Sequence, residues 1–149
     1  MPSALPKSAK TAEVSGFILE RTAKRMKQFF HAQLTLAAAD ITIDQWIVLQ
    51  ALESGGAQSQ FEIARQTFKD APTVTRILDL LEQKQLITRE DDPNDRRRYN
   101  VRLTAQGHQK MADMLPVIKN ARQQAWRGLA DEDMDTLVRL LDKVYDNLK

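Results

Sequence analysis

The sequence has no cysteine, which removes disulfide scaffolds, thiolate-bound zinc, thiol nucleophiles and thiol-based redox sensing together. The fold is therefore expected to hold without staples, in the cytoplasm. Histidine is almost as scarce: His31 and His108 are the only two. They lie far apart and lack a metal-ligand spacing such as HExxH, so no metal site is expected. There is no phosphate-binding glycine loop, no GxSxG and no convincing acid/base pair, so neither catalysis nor a cofactor is expected. The run Asp131, Glu132, Asp133 resembles an acidic metal cluster only superficially, because carboxylates at a helix start satisfy the helix dipole. No apolar run is long enough to span a bilayer, and "MPSALPKSAK" lacks the apolar core of a signal peptide. Residues 1–10 read as a short disordered lead-in, and no membrane partner is expected. Nor is there a large excess of one charge. The net charge is +2, so any case for a polyanionic partner rests on where the basic residues sit.

What is present is helical periodicity. At 149 residues the chain suits one compact domain with helical extensions. Over residues 11–36, Val14, Phe17, Ile18, Met26, Phe29 and Phe30 recur at helical spacing, with Arg21, Lys24, Arg25 and Lys27 on the other sides. A second helix is predicted over 43–53: Thr42 and Gln45 have capping-box spacing, Ile41 and Trp46 stand at the positions of a hydrophobic staple, and Gly55-Gly56 stops it. Ser59 and Glu62 repeat the box for a short third helix over 60–67, with Glu62 expected to reach back to the cap. Asp70 as N-cap and Pro72 in the first turn open a fourth over 71–84. Thr104 caps a fifth, with Met111, Leu115, Ile118, Ala121 and Ala125 on one face. A sixth starts near Asp131 and carries Met134, Leu137, Val138, Leu141, Val144, Tyr145 and Leu148 as a stripe.

The third and fourth helices, joined by the tight connector 68–70, have the outline of a helix-turn-helix. Next comes "DDPNDRRRYNVRLT". Tyr99, Val101 and Leu103 alternate with Arg98, Asn100 and Arg102 as in a half-buried strand, residues 86–90 supply an antiparallel partner, and Asp92-Pro93-Asn94-Asp95 suits a type I turn. The hairpin forms a wing directly after the helix pair.

In this order the chain resembles the MarR family of bacterial transcriptional regulators. The resemblance covers nearly the whole chain and is most specific over "QFEIARQTFKDAPTVTRILDLLEQKQLITREDDPNDRRRYNVRLTAQG". It rests on Glu62-Ile63-Ala64, on Thr73-Val74-Thr75-Arg76 followed by Leu81-Glu82, and on Asp95-Arg96-Arg97 leading to Leu103-Thr104 and Gly107. It implies a mainly α fold with a small β-hairpin: a winged helix-turn-helix at 41–104, flanked by dimerisation helices at 11–36 and 105–149, with the first, fifth and sixth helices of two subunits interlocked. Two positions depart from the family pattern. Gln85 stands where glycine is common, and Ala130 where a serine cap is common, leaving Asp131 as the substitute.

On the fourth helix, Val74, Ile77, Leu78 and Leu81 fall on one side and Pro72, Arg76, Asp79 and Gln83 on the other, with Thr73 and Thr75 flanking. Such a helix can enter the major groove of double-stranded DNA, with Arg76 suited to guanine and the threonines to phosphates or a thymine methyl. The plain alternative is a solvated face on which Arg76 pairs with Asp79. Ser59 and Gln60 are expected to meet DNA as well. In the wing, a carboxylate two residues from an arginine can hold its guanidinium, so Asp95 is expected to orient Arg97 into the minor groove while Arg96 and Arg98 approach flanking phosphates. By resemblance, the family's wing aspartate and second arginine fall on Asp95 and Arg97. Alternatively, Asp91, Asp92 and Asp95 merely neutralise the arginines in a solvated loop.

The resemblance further implies a homodimer on a pseudo-palindromic operator, acting as a repressor, and a small aromatic or phenolic effector bound between dimer helices and winged domain. Phe30, His31, Trp46 and Met111 are the candidate lining; the competing reading places Phe30, Trp46 and Met111 in the core. A different class of function stays open, a winged-helix module whose hairpin and helix dock an acidic protein partner.

Overall fold

The computed structural model describes residues 17–149. The lead-in at 1–10 and Val14 lie outside the described residues. In chain order the elements are α1 (Leu19–Leu36), α2 (Ile43–Gly55), β1 (Gln58–Ser59), α3 (Gln60–Thr67), α4 (Ala71–Gln83), β2 (Ile87–Asp92), β3 (Asp95–Leu103), α5 (Ala105–Ala125) and α6 (Asp131–Asn147). The result is a winged helix-turn-helix carried on long helices. The sheet has one strand more than the hairpin expected from the sequence. Its order is β1-β3-β2, because Gln58 and Ser59 pair antiparallel with Val101 and Asn100. Two residues are too few to show an alternation, so β1 left no periodic signal.

The caps explain where the helices start. Thr42 and Gln45 form the full capping box: each side chain bonds the other's backbone N–H at 3.1 Å. Ile41 and Trp46 are buried as the staple requires. Asp70 accepts from the Thr73 N–H at 2.8 Å, and Thr104 from that of Gly107 at 3.0 Å. The start of α6 differs from expectation. Asp133, not Asp131, serves Ala130, accepting its N–H at 2.8 Å; a carboxylate three residues on reaches back over the first turn more easily than the adjacent one.

The core runs through Leu34, Leu49, Ile63, Val74, Leu78, Leu81, Ile87, Val101 and Ile118, all essentially inaccessible. On α4 the four inward residues Val74, Ile77, Leu78 and Leu81 are all buried, each contributing about 1.5–3 kcal/mol. That seam fixes which face of α4 looks outward. Gly107 packs so closely on the Leu86 carbonyl that a Cβ would collide with it, which seats α5 on the end of the sheet. By contrast, α6 has no buried residue at all.

Gln85 is the strained closure its sequence position implies. It adopts φ +62°, its N–H bonds Glu82 O at 2.9 Å and the Leu86 N–H bonds Leu81 O at 3.0 Å. This is a Schellman closure with a side chain at its left-handed residue. A second tie crosses the domain. Asp44, in the first turn of α2, binds Lys27 of α1 at 3.0 Å and Lys69 of the 68–70 connector at 2.8 Å. Burial opposes its ionised form, but hydrogen bonds from Lys69 and Lys27 outweigh that and hold the carboxyl below the ordinary aspartate value.

Two outcomes follow. Gln85→Gly should stabilise the fold by about 1 kcal/mol in urea unfolding, through removal of the left-handed penalty. Asp44→Asn should destabilise at neutral pH. Because the folded-state pKa is depressed, the contribution is complete above the ordinary value of 3.8 and lost as pH falls through the lower folded value. Unfolding curves of both proteins between about pH 7 and about pH 3 should therefore converge at the acid end.

Candidate nucleic-acid interface

The outward face of α4 carries Pro72, Thr75, Arg76 and Asp79, all exposed, with Thr73 half-buried at its edge. Asp70 and Pro72 set the first turn, so these side chains lie at the end of the helix that a groove would meet first. Arg76 makes no ion pair among the described residues. The expected Arg76–Asp79 alternative is not what forms: Asp79 binds Arg89 of β2 at 2.5 Å, and Glu82 binds the same guanidinium at 3.1 Å. Burial alone would lower the Arg89 pKa, but the two carboxylates reverse that and raise it. The acidic residue that would have repelled a polyanion is thus turned to the wing and neutralised.

At the start of α3, Gln60 Nε2 donates to Thr75 Oγ1 at 3.1 Å, joining the two helices on the same outer surface. Ser59 is buried. Its hydroxyl accepts the Glu62 N–H at 3.2 Å and donates to Glu62 Oε1 at 3.1 Å. The predicted return of the Glu62 carboxylate to the Ser59 backbone does not occur, since that backbone is taken up in β1. The part Ser59 plays in this surface is to cap α3.

The wing turns at Pro93-Asn94, where Asp92 Oδ1 accepts the Asn94 N–H at 2.8 Å. The three arginines stand in β3 itself and not on a loop before it, all exposed, with Arg97 on one face of the strand and Arg96 and Arg98 on the other. Arg97 points into solvent, with its side chain 95% exposed. Asp95 Oδ1 accepts the Arg97 backbone N–H at 2.9 Å and lies 3.8 Å from its Nε, so Asp95 fixes the backbone under Arg97 and touches the guanidinium loosely. Arg96 is exposed as well. Arg98, expected to approach a flanking phosphate, has a partner within the chain: its Nη2 donates to Glu62 Oε1 at 2.9 Å, with the side chain 46% exposed. Tyr99, expected half-buried, is 48% exposed.

Between the wing and the start of α3 runs a cleft of about 730 Å³ lined by Gln60, Phe61, Arg65, Arg97 and Tyr99 among others. Phe61 and Arg65 were not singled out in the sequence. An exposed Phe beside an Arg on one helix face is the only signal that pointed to them. Among the described residues no group of three or more His, Asp or Glu could hold a metal ion, and no helix is long and apolar enough to cross a membrane.

A second cavity, of about 330 Å³, opens between α1, α2 and α5 and is lined by Lys27, Phe30, Asp44, Trp46 and Arg122 among others. It brings together two of the four residues proposed for an effector. Phe30 and Trp46 are both core members and cavity wall, so the competing core reading was half of the answer. Met111 is buried in the core away from the lining, and His31 is exposed on the far side of its helix turn. The Trp46 indole N–H is buried without an acceptor.

The MarR family model matches residues 39–98, the helix-turn-helix and most of the wing. Among solved structures, the chain is similar to BpsR of Bordetella bronchiseptica, whose DNA binding is regulated by 6-hydroxynicotinic acid (29% identity, 87% of this chain and 97% of that one, TM-score 0.78). It is similar to a mutant MarR from E. coli complexed with operator DNA (26% identity, 90% and 96%, TM-score 0.80). It also resembles a Listeria innocua protein of unknown function (32% identity, 95% and 96%, TM-score 0.68). With its winged helix-turn-helix, its Asp95-Arg96-Arg97 wing and these matches, the chain belongs to the MarR family of winged helix-turn-helix transcriptional regulators.

Proposed function

We propose that the protein is a homodimeric repressor in the cytoplasm that reads a pseudo-palindromic operator, with α4 in the major groove and the wing in the minor groove, and that a small aromatic acid releases it. The observation that carries this reading is the presence on one surface of Arg76, which has no ion pair among the described residues, and of Arg97, which touches only Asp95, loosely, at 3.8 Å. Arg76 stands on a helix face whose carboxylates Arg89 has neutralised, and Arg97 stands on the wing that Arg89 bolts to that helix. A guanidinium at the groove end of α4 matches guanine O6 and N7; one on the wing matches the concentrated negative potential of a narrow minor groove. Arg96 is placed for phosphate.

Two-fold pairing is supported by α6. Val138, Leu141, Val144 and Leu148 are 40–79% exposed on a helix with no buried residue, more apolar surface than a monomer keeps in water. A small acid is supported by the cavity. Lys27 and Arg122 supply cations, Phe30 and Trp46 an aromatic wall, and the unpaired indole N–H is a cost that an acceptor on the ligand would relieve. BpsR responds to an acid of this class.

Sedimentation at micromolar concentration should give twice the chain mass. Arg76→Ala should relax discrimination between operator and scrambled duplex, whereas Arg97→Ala should weaken operator binding by about 1–3 kcal/mol. Arg96→Ala should chiefly flatten the salt dependence. Asp95→Ala separates aiming from simple charge: removal of a negative charge tightens binding if the wing is only an electrostatic pad, and weakens it if Asp95 sets the Arg97 backbone. Isotherms on promoter and random duplex at two salt concentrations read all four. Unchanged binding by both the Arg76 and Arg97 variants would sink the DNA-reading proposal and leave an acidic protein as the partner to seek.

A further inference from the structure

Asp44 occupies an unusual position. It lines the cavity between α1, α2 and α5, yet one of its oxygens holds Lys69, which belongs to the connector of the helix-turn-helix. Its other oxygen holds Lys27, which also lines the cavity. The Lys69 side chain is only 14% exposed, so its stem is confined and a movement of the ammonium is passed to its backbone. That backbone is sandwiched between Phe68, held at φ +54°, and Asp70, which caps α4.

Resting on the effector reading above, we propose that Asp44 is the coupling residue between the cavity and the DNA-reading helix, and that the ligand class able to work it is a small anion that competes for Lys27. The chemistry sets the direction. An anion in the cavity draws the Lys27 ammonium and places a like charge beside Asp44. The carboxylate then loses one of its two cations and is repelled from the cavity side. Lys69 is what remains to neutralise it, so the strain of the rearrangement falls on the connector and on the first turn of α4, where Arg76 is carried. A neutral aromatic of the same shape fills the cavity without this charge change and leaves the connector where it was. By linkage the operator must discriminate against the anion by the same factor as the anion discriminates against the operator.

The relay can be tested with and without a ligand. In the full-length protein, Lys27→Glu puts a carboxylate beside Asp44 permanently. It should weaken operator binding about fivefold or more, within the range of ordinary allosteric coupling. Lys24→Glu makes the same change of charge on α1 without an ion pair to Asp44, and should weaken it far less. In a Lys69→Met background the Lys27→Glu effect should shrink to less than about twofold, because the cycle isolates what passes through Lys69. Equal effects of Lys27→Glu in both backgrounds overturn the relay, as does an equal effect of Lys24→Glu; thermal unfolding confirms that each variant is folded. In the ligand arm, 6-hydroxynicotinate and benzoate are titrated calorimetrically against free and operator-bound protein, with benzamide as the neutral control. The acids should bind the free protein more tightly than the complex, and Lys69→Met should bring that ratio close to one while retaining binding to the free form. If neither acid binds the wild type, the effector reading fails by itself and the double-variant cycle still decides the relay.

Discussion

The Arg89 guanidinium between Asp79 and Glu82 is the interaction on which the rest of the interface depends. A helix that enters a groove of DNA should not present carboxylates there, and α4 has two. Arg89 removes both from the electrostatic account in one geometry. Its side chain is 17% exposed, so the pairs are screened less than a fully exposed bridge, and either carboxylate still partners the guanidinium if the other is lost. Since Arg89 stands on β2 and its partners on α4, the same contact sets the distance between reading helix and wing. On the proposed reading of two grooves at once, that distance must be fixed before DNA is met, because each loose degree of freedom would be frozen at the expense of affinity.

A second bolt works from the other side. Glu62 on α3 holds both the Ser59 hydroxyl and Arg98 on β3. The wing is therefore tied to each helix of the helix-turn-helix by an arginine of its own, one on β2 and one on β3. This answers why three arginines run together. Alternation along β3 turns Arg97 to one face and Arg96 and Arg98 to the other, and of the latter two Arg98 is held by Glu62 while Arg96 has no ion pair among the described residues, so the three do not compete for one patch of space. One arginine of the run anchors the wing, and the other two are those proposed above to meet DNA.

The local part of this was legible in the sequence. Thr42 with Gln45, Asp70 with Thr73 and Thr104 with Gly107 act over three residues, so spacing reveals them. The inward seam of α4 follows from helical period alone. Pairings across a long stretch of chain were not legible, because residue type says only that a partner is wanted and not which one. Asp79 had Arg76, three residues away on the same helix, as its alternative partner, and went to Arg89; Arg98, expected near phosphate, meets Glu62. Likewise Asp44, an ordinary first-turn carboxylate in sequence, acquires its meaning only when Lys69 arrives from another segment. The effector residues divided for a related reason: helical spacing marks Phe30, Trp46 and Met111 as inward, but only the packing of α5 on α1 and α2 decides which inward residues also border a void.

The shortage of glycine has a structural consequence as well. The chain has five glycines, and among the described residues three turns take the left-handed conformation without one: Ala38 after α1, Phe68 after α3 and Gln85 after α4. Each costs on the order of 1–2 kcal/mol relative to a residue that adopts it freely. Two of the three bracket the reading helix. At Gln85 the cost is offset by the Schellman bonds, by the burial of Leu86 over Leu81, and by Thr104, whose hydroxyl donates to the Gln85 carbonyl at 2.7 Å. Phe68 has a comparable backbone closure, its own N–H and that of Lys69 both bonding Ala64 O, but thinner side-chain support: the ring is 81% exposed and meets Tyr145 of α6 edge to face at 6.1 Å. Strain with strong local support stays put, whereas strain held by a few distant contacts responds when those contacts change. The end of α4 near the wing is thus the firmly held one. The end that carries Arg76 follows a connector whose side-chain supports are Asp44 through Lys69 and Tyr145 of α6, so α6 and the cavity both reach the start of α4 through that one connector.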